Sequence, residues 1–228
     1  MDKARFKSRM TKEHIESQKF YEVPIGLIDK CFSEDENIFN LSIEDLYNYL
    51  YSVCNDDDEF EKFCENFPYD RFFQLIISLP SCIARQRALS IFSDCTRSDF
   101  FPSEQYSSDM EFLSYVYSLL DSPSSDEVSA SLQILSQVML SCPAVCQFLV
   151  EEQKLHSKLE YIQATPYLAK TLAVLCDVHP ESLELTLKLI PYCLQTNDKD
   201  TLLYSLLAVK SAIKSVPESS PVIINLVD

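Results

Sequence analysis

The chain has 228 residues, of which 46% are hydrophobic, a share typical of a folded soluble protein rather than a disordered one. It contains one glycine, Gly26, whereas average usage is about 7%. Hairpins, phosphate-binding loops and tight strand corners depend on glycine, so the composition disfavours a many-stranded barrel or sandwich and predicts an all-α fold. The net charge of −16 argues against nucleic-acid binding by the main body, since such a surface repels phosphates.

The first 21 residues differ in charge from the rest of the chain. They carry six basic and three acidic residues, a net charge of +3, and the remainder therefore carries −19. Residues 1–21 also contain few apolar side chains, among them Phe6, Met10 and Phe20. They are predicted to form a basic N-terminal arm or one loosely docked helix.

Beyond residue 40, an eight-residue pattern recurs whose second, fourth, fifth and eighth residues are apolar. This spacing is expected for one face of a helix. Its first apolar positions are 42, 43, 40 and 34 residues apart, which is the period of a helical solenoid. The matching segments are LYNYLYSV (46–53), ALSIFSDC (88–95), SLQILSQV (131–138), TLAVLCDV (171–178) and SLLAVKSA (205–212).

The segments between these stripes follow one order: a turn, a short helix, a second short helix and a polar break. Pro143, Pro180 and Pro217 stand 37 residues apart. Proline is favoured at the first position of a helix, where its missing N–H has no intrahelical partner to lose. Each of these prolines is therefore predicted to open a new unit. The predicted short helices are EFEKFCENF (59–67), RFFQLIISL (71–79), MEFLSYVYSLL (110–120), AVCQFLVEE (144–152) and LHSKLEYIQ (155–163).

This order of helices over about 40 residues resembles the armadillo repeat, most closely in residues 119–152. The shorter unit at 180–213 has room for only two helices, as in the related HEAT repeat. The resemblance implies a right-handed superhelical α-solenoid of about four to five repeats, forming one domain over residues 22–228. An irregular helical bundle is the alternative.

The chain ends within what looks like a further unit, VPESSPVIINLVD (216–228). Solenoid ends need a polar cap, yet this segment is apolar at Val222, Ile223, Ile224 and Leu226. Either the domain is incomplete and these residues form a stacking end, or the segment is itself the cap.

No catalytic or metal-binding pattern is found. One glycine excludes the GxGxxG, Walker A and GxSxG motifs. His14, His156 and His179 have no neighbouring Cys or His at zinc-ligand spacing. The acidic run NDDDEFE (55–61) suits a helix start better than a calcium loop. We therefore expect no catalytic residue, cofactor, metal or small-molecule substrate.

The nine cysteines are odd in number and widely spaced, with no CxxC motif. Reduced thiols in the cytoplasm, or in the nucleus, fit this pattern best. Cys95 and Cys176 fall in or beside apolar stripes and are predicted to be packing residues. The sequence also contains no apolar run long enough to span a membrane.

In armadillo proteins, the third helices line a groove that binds extended peptides, in alpha importins through a Trp and an Asn four residues later. This chain has no Trp, so nuclear-signal binding does not carry over. The equivalent groove positions predict a polar, mildly acidic groove for a protein or peptide partner with basic side chains: Ser90, Asp94, Gln133, Gln137, Asp177 and Ser211.

Three functions are compatible with these patterns. The favoured one is a non-catalytic interaction scaffold or adaptor that binds a peptide or partner protein along the groove. The alternative is a structural subunit, or a fragment of a larger solenoid, with no groove ligand of its own. A thiol-dependent enzyme is the third and least favoured.

Overall fold

The structure, a computed structural model, describes residues 24–215, and all regular secondary structure in that range is helical. The predictions for residues 1–21 and for Val222, Ile223, Ile224 and Leu226 lie outside these residues. The chain divides into two compact units, one ending at Phe101 and the next beginning at Pro102. The all-α prediction is confirmed over the described residues, and a single continuous solenoid stays a prediction.

Residues 24–101, the described part of the first unit, contain five helices. They are α1 (Pro24–Lys30), α2 (Glu36–Val53), α3 (Asp57–Glu65), α4 (Tyr69–Ser78) and α5 (Ile83–Cys95).

The described part of the second unit, residues 102–215, contains eight further helices and two short 3₁₀ turns, at Leu119–Asp121 and Pro180–Ser182. The helices are α6 (Ser103–Ser108), α7 (Met110–Ser118), α8 (Ser125–Ser141), α9 (Pro143–Glu151), α10 (Leu155–Leu159), α11 (Pro166–Val178), α12 (Leu183–Leu194) and α13 (Lys199–Ser215). We call α2, α5, α8, α11 and α13, which carry the five apolar stripes, the long helices.

Side-chain caps begin most of the long helices. Asp35 accepts hydrogen bonds from the first-turn N–H groups of α2, Ser124 caps α8 and Thr165 caps α11. Such caps satisfy N–H groups that have no partner within the helix. Asp56 caps α3 in the same way, which confirms that the acidic run at 55–61 is a helix start.

The evenly spaced prolines follow the ends of long helices. Helix α8 ends at Ser141 and Pro143 is the first residue of α9. Helix α11 ends at Val178, and Pro180 opens the 3₁₀ turn that leads into α12. Each of these two prolines therefore begins a helical segment directly after a long helix, while their role in opening repeat units stays a prediction; Pro217 lies outside the described residues.

The core of the first unit is aromatic. The ring of Phe72 lies 4.9 Å from the ring of Phe67 and 6.1 Å from that of Phe32, measured between centroids. The Phe92 ring, from the stripe of α5, is 5.9 Å from that of Phe73 and 6.1 Å from that of Tyr69. Tilted and edge-on aromatic pairs at these distances add to the hydrophobic stabilisation of a core.

The stripe prediction is correct for α5 and α8, where all eight apolar positions are buried. It fails in α13, where Leu206 is 59% exposed. The buried residues of α13 are small instead, and include Thr201, Ser205, Ala208 and Ala212. Small side chains let α13 pack closely on α11 and α12, and this turns the larger leucines outward.

Candidate interaction surface

Within each unit, consecutive long helices are neighbours. In the first unit, Arg87 Nε of α5 donates a hydrogen bond to Glu44 Oε2 of α2 at 3.1 Å, and its guanidinium lies 4.2 Å from the Tyr47 ring centroid. In the second, the Ser136 and Thr171 hydroxyls join α8 to α11 at 2.9 Å. Helix α11 also packs against α13.

Two of these pairs, α2 with α5 and α8 with α11, run in the same direction. One turn before the Glu44–Arg87 contact, Asn40 of α2 and Ile83 of α5 line the same cleft. In the second unit, Ser129 of α8 and Thr165, the cap of α11, also line one cleft, ahead of the Ser136–Thr171 contact. Parallel neighbours place two helix N-termini at the same edge of each unit.

The cleft at this edge of the first unit, which we call the first cleft, has a volume of about 730 Å³. Much of its wall is apolar and comes from α2, the end of α4 and the start of α5, with two exposed glutamates beside it. Ile83, at its edge, is 72% exposed. Its lining residues include Glu34, Glu36, Phe39, Leu79, Cys82 and Ile83.

An equivalent but smaller cleft of about 230 Å³ lies at the N-terminal ends of α8 and α11. We call it the second cleft. Hydroxyl and amide groups, including Ser122, Ser125, Ser129 and Gln163, line much of it. No charged residue is among its lining residues within the described part of the chain. The two clefts share a position but offer different chemistry.

The two predicted groove residues of the first unit, Ser90 and Asp94, lie on α5 and are both half-buried. Ser90 Oγ donates a hydrogen bond to the Gln86 carbonyl at 3.0 Å. Asp94 Oδ1 lies 3.7 Å from Nη2 of Arg97, in an ion pair with the turn that follows α5. Asp94 retains enough exposure to meet a basic ligand, but Arg97 competes for its carboxylate.

The other four predicted groove residues lie in the second unit. Asp177 is exposed and Gln137 is half-buried, whereas only 5% of Gln133 and 6% of Ser211 is accessible. Gln133 is buried because α6, α7, α9 and α11 all pack around α8. A ligand can therefore reach Asp177 and Gln137 without rearrangement, but not Gln133 or Ser211.

Helix α13 presents large apolar side chains on its outer face: Leu203, Leu206, Leu207 and Ile213 are each exposed by 41% or more. The predicted stacking residues 222–226 follow this helix in the sequence but lie outside the described residues. An apolar helix face of this kind is a feature of a surface on which a further element packs.

The structure brings together two histidines that the sequence separates. Ser182 Oγ lies 2.7 Å from His156 Nε2 and 3.0 Å from His179 Nδ1, and Ser182 is fully buried. Burial, with a further contribution from His179, lowers the pKa of His156. These hydrogen bonds join α10 to the Pro180–Ser182 turn. Because the serine is inaccessible, it is placed to hold the two segments together rather than to react as a nucleophile.

None of the nine cysteines, which all lie within residues 24–215, forms a disulfide. Burial raises the pKa of Cys31 to about 12 and those of Cys146 and Cys193 to about 11. It also raises the pKa of Cys95 and Cys176, both of which are buried. The thiolate is the reactive form, so these five side chains are protonated packing residues at neutral pH.

Comparisons with models of known protein families and with curated proteins find no match to this chain. Within residues 24–215, no helix combines the length and apolar content needed to cross a membrane. The same stretch holds no group of three or more His, Cys, Asp or Glu residues placed to bind a metal ion.

Proposed function

We propose that this protein is a non-catalytic interaction scaffold, built from armadillo- or HEAT-like repeats, whose first cleft binds an apolar and basic segment of a partner protein. The first cleft carries this proposal because it combines a volume of about 730 Å³ with exposed Ile83 and with Glu34 and Glu36. Concave apolar surfaces with a few polar groups are the usual form of binding sites.

The helix order supports the repeat architecture. Two short helices precede each of α5, α8 and α11, and two helices account for residues 183–215. Six of the described side-chain hydrogen bonds join residues 35 to 43 positions apart in the sequence. Contacts at one repeat length are what a stack of similar units produces.

The charge of the protein supports a basic partner. A segment with a large apolar side chain in the cleft would place adjacent Lys or Arg side chains near Glu34 and Glu36. The residues after position 21 carry a net charge of −19, which also attracts a basic partner over longer distances. Nine cysteines without a disulfide fit a reducing compartment such as the cytoplasm or nucleus.

A random-peptide display library, selected on the full immobilised chain, tests the proposal. The enriched peptides are expected to combine aliphatic or aromatic residues with Lys or Arg. Their affinities are then measured by fluorescence anisotropy for the wild type, for Ile83→Glu and for the control Tyr51→Glu. Tyr51 is 76% exposed, comparable to Ile83, but does not line the cleft.

We expect Ile83→Glu to weaken binding at least tenfold, because burying an aliphatic side chain is worth roughly 1.5–3 kcal/mol and about 1.4 kcal/mol is tenfold in affinity. Tyr51→Glu should leave binding unchanged. Failure to enrich any peptide, or equal losses in the two variants, contradicts the proposal.

The groove predicted along the long helices is a second possible contact for the same partner. Asp94→Lys and Asp177→Lys, made separately, test it with the same peptides. A loss of affinity for one variant extends the binding surface to that helix. Unchanged affinity for both confines binding to the first cleft.

The exposed apolar face of α13 favours a second candidate function, that of a subunit stacking on another helical element. Under this alternative, Leu206→Glu should abolish an assembly detectable by sedimentation velocity. Leu140→Glu, at an exposed leucine of α8, is the matched control. A chain that sediments as a monomer at all concentrations excludes self-assembly through α13.

A further inference from the structure

We propose that residues 1–23 of this chain occupy the first cleft and compete there with partner segments, so that the scaffold regulates its own binding. This inference rests on the proposed use of the first cleft as a protein-binding site.

The first observation is that the arm and the cleft are chemically complementary. The arm contains two apolar residues four positions apart, Phe6 and Met10, placed among Arg5, Lys7 and Arg9. The cleft offers apolar side chains and two exposed glutamates, and no Lys or Arg is among the residues of the 24–215 range that line it. An apolar segment flanked by cations is the class of ligand proposed above for this cleft.

The second observation is that the arm is attached beside the cleft. It joins the described chain at Pro24, the first residue of α1, and α1 packs against α2. Seven helical residues span about 9 Å at 1.5 Å per residue, and the cleft wall begins at Ser33, three residues beyond Lys30.

The length of the arm is sufficient for this contact. At about 3.5 Å per residue, the chain between Met10 and Pro24 can span up to about 45 Å. The attachment point at Pro24 lies within about 20 Å of Ser33 along the path of the chain, from a helical rise of 1.5 Å and an extended length of about 3.5 Å per residue. Phe6 and Met10 can therefore reach the cleft from their own chain.

Tethering makes even a weak contact effective. A short tether between two parts of one chain gives an effective concentration on the order of 1 mM. An arm that binds with an intrinsic Kd of about 0.1 mM would then occupy the cleft about 90% of the time, and would weaken the binding of a competing peptide about tenfold. The acidic cleft thus needs only a modest affinity for its own arm.

Cys82 provides a native reporter in the full chain, because it is half-buried and lines the first cleft. Alkylation by iodoacetamide, followed by peptide mass spectrometry, gives the rate at each cysteine. Cys54 in the same unit and Cys142 in the second unit are also half-buried and line neither cleft, so they are internal controls.

Two variants of the arm are compared with the wild type. Arg5→Glu with Lys7→Glu and Arg9→Glu removes the charge complementarity, and Phe6→Ser with Met10→Ser removes the apolar contact but keeps the charge. Each is expected to speed alkylation of Cys82 several-fold, and up to about tenfold if the arm is bound 90% of the time. The rates at Cys54 and Cys142 should not change.

A Cys82 rate that both arm variants leave unchanged overturns the proposal. A protection that disappears on dilution also overturns it, because the arm would then come from a second copy of the chain. The selected peptides separate this failure from that of the proposed function. If they still lose affinity in Ile83→Glu, the cleft binds partners but not the arm; if they do not, both proposals fail.

Discussion

The pairing of α8 with α11 is testable through one buried hydrogen bond. The hydroxyls of Ser136 and Thr171 lie 2.9 Å apart and both residues are buried. Each hydroxyl also lies within reach of a carbonyl four residues earlier on its own helix: Ser136 of the Leu132 oxygen at 2.7 Å and Thr171 of the Tyr167 oxygen at 2.8 Å. Because each carries only one proton, one of them donates across the helix pair and the other donates to a carbonyl.

This arrangement of hydrogen bonds determines how much each substitution should lower the free energy of unfolding. Thr171→Val keeps the shape of the side chain but removes the hydroxyl, and the Ser136 proton can then be donated to the Leu132 carbonyl. We expect a loss of about 0.5–1.5 kcal/mol in the free energy of unfolding, the net contribution of one hydrogen bond, because the redirected Ser136 hydroxyl is not left unpaired. Ser136→Ala should cost about 1 kcal/mol for the same reason.

A double-mutant cycle isolates the contact between the two helices. Urea unfolding followed by circular dichroism gives the free energy of unfolding for the wild type, both single variants and the double variant. We expect the double variant to lose about 0.5–1.5 kcal/mol less than the sum of the single losses. Losses that add to within about 0.3 kcal/mol would refute the contact, because independent sites behave in that way.

Three further predictions concern single side chains. Phe72→Ala should reduce the free energy of unfolding by about 3–5 kcal/mol, because it opens a cavity at a fully buried ring, whereas Tyr51→Ala should cost under about 0.5 kcal/mol in the same urea titration; similar losses would contradict the packing. The lowered pKa of His156 means that the unfolded chain binds a proton more readily, so this residue's contribution to stability is complete above about pH 6.5 and falls as the pH is lowered through that value. His156→Gln should therefore reduce the loss of stability between pH 7.5 and pH 5.5, and an unchanged loss would exclude His156 as its source. Cys146, buried and with a pKa of about 11, should react with iodoacetamide at pH 8 at least tenfold more slowly than half-buried Cys142; equal rates in peptide mass spectrometry would show that Cys146 is accessible.

The helical fold could be predicted from the sequence because its signals are local. The stripes of α5 and α8 place hydrophobic residues on faces that are buried. The polar segments before α3 and α8 supply the capping side chains of these helices, Asp56 and Ser124. Prediction was weaker where burial depends on neighbours. The segment 155–163 was predicted to be one helix, but α10 ends at Leu159 and Tyr161 is exposed.

The candidate site could not be predicted in the same way. The resemblance to armadillo repeats predicts Gln133 as a groove residue, yet four helices surround α8 and bury it. The first cleft combines residues about 45 positions apart, such as Phe39 and Ile83, none of which forms a motif in the sequence. The pairing of His156 with His179 through Ser182 likewise depends on the turn that precedes α12.

The two clefts show how one architecture separates fold from specificity. Parallel packing of neighbouring long helices creates a cleft at their N-terminal ends in both units, whatever side chains line it. The lining residues then determine the ligand: Glu34, Glu36 and Ile83 suit an apolar and basic segment, whereas serines and Gln163 in the second cleft offer only neutral hydrogen bonds. Exchanging exposed lining residues should therefore change partner choice with little effect on stability, because these side chains contribute little to the buried core.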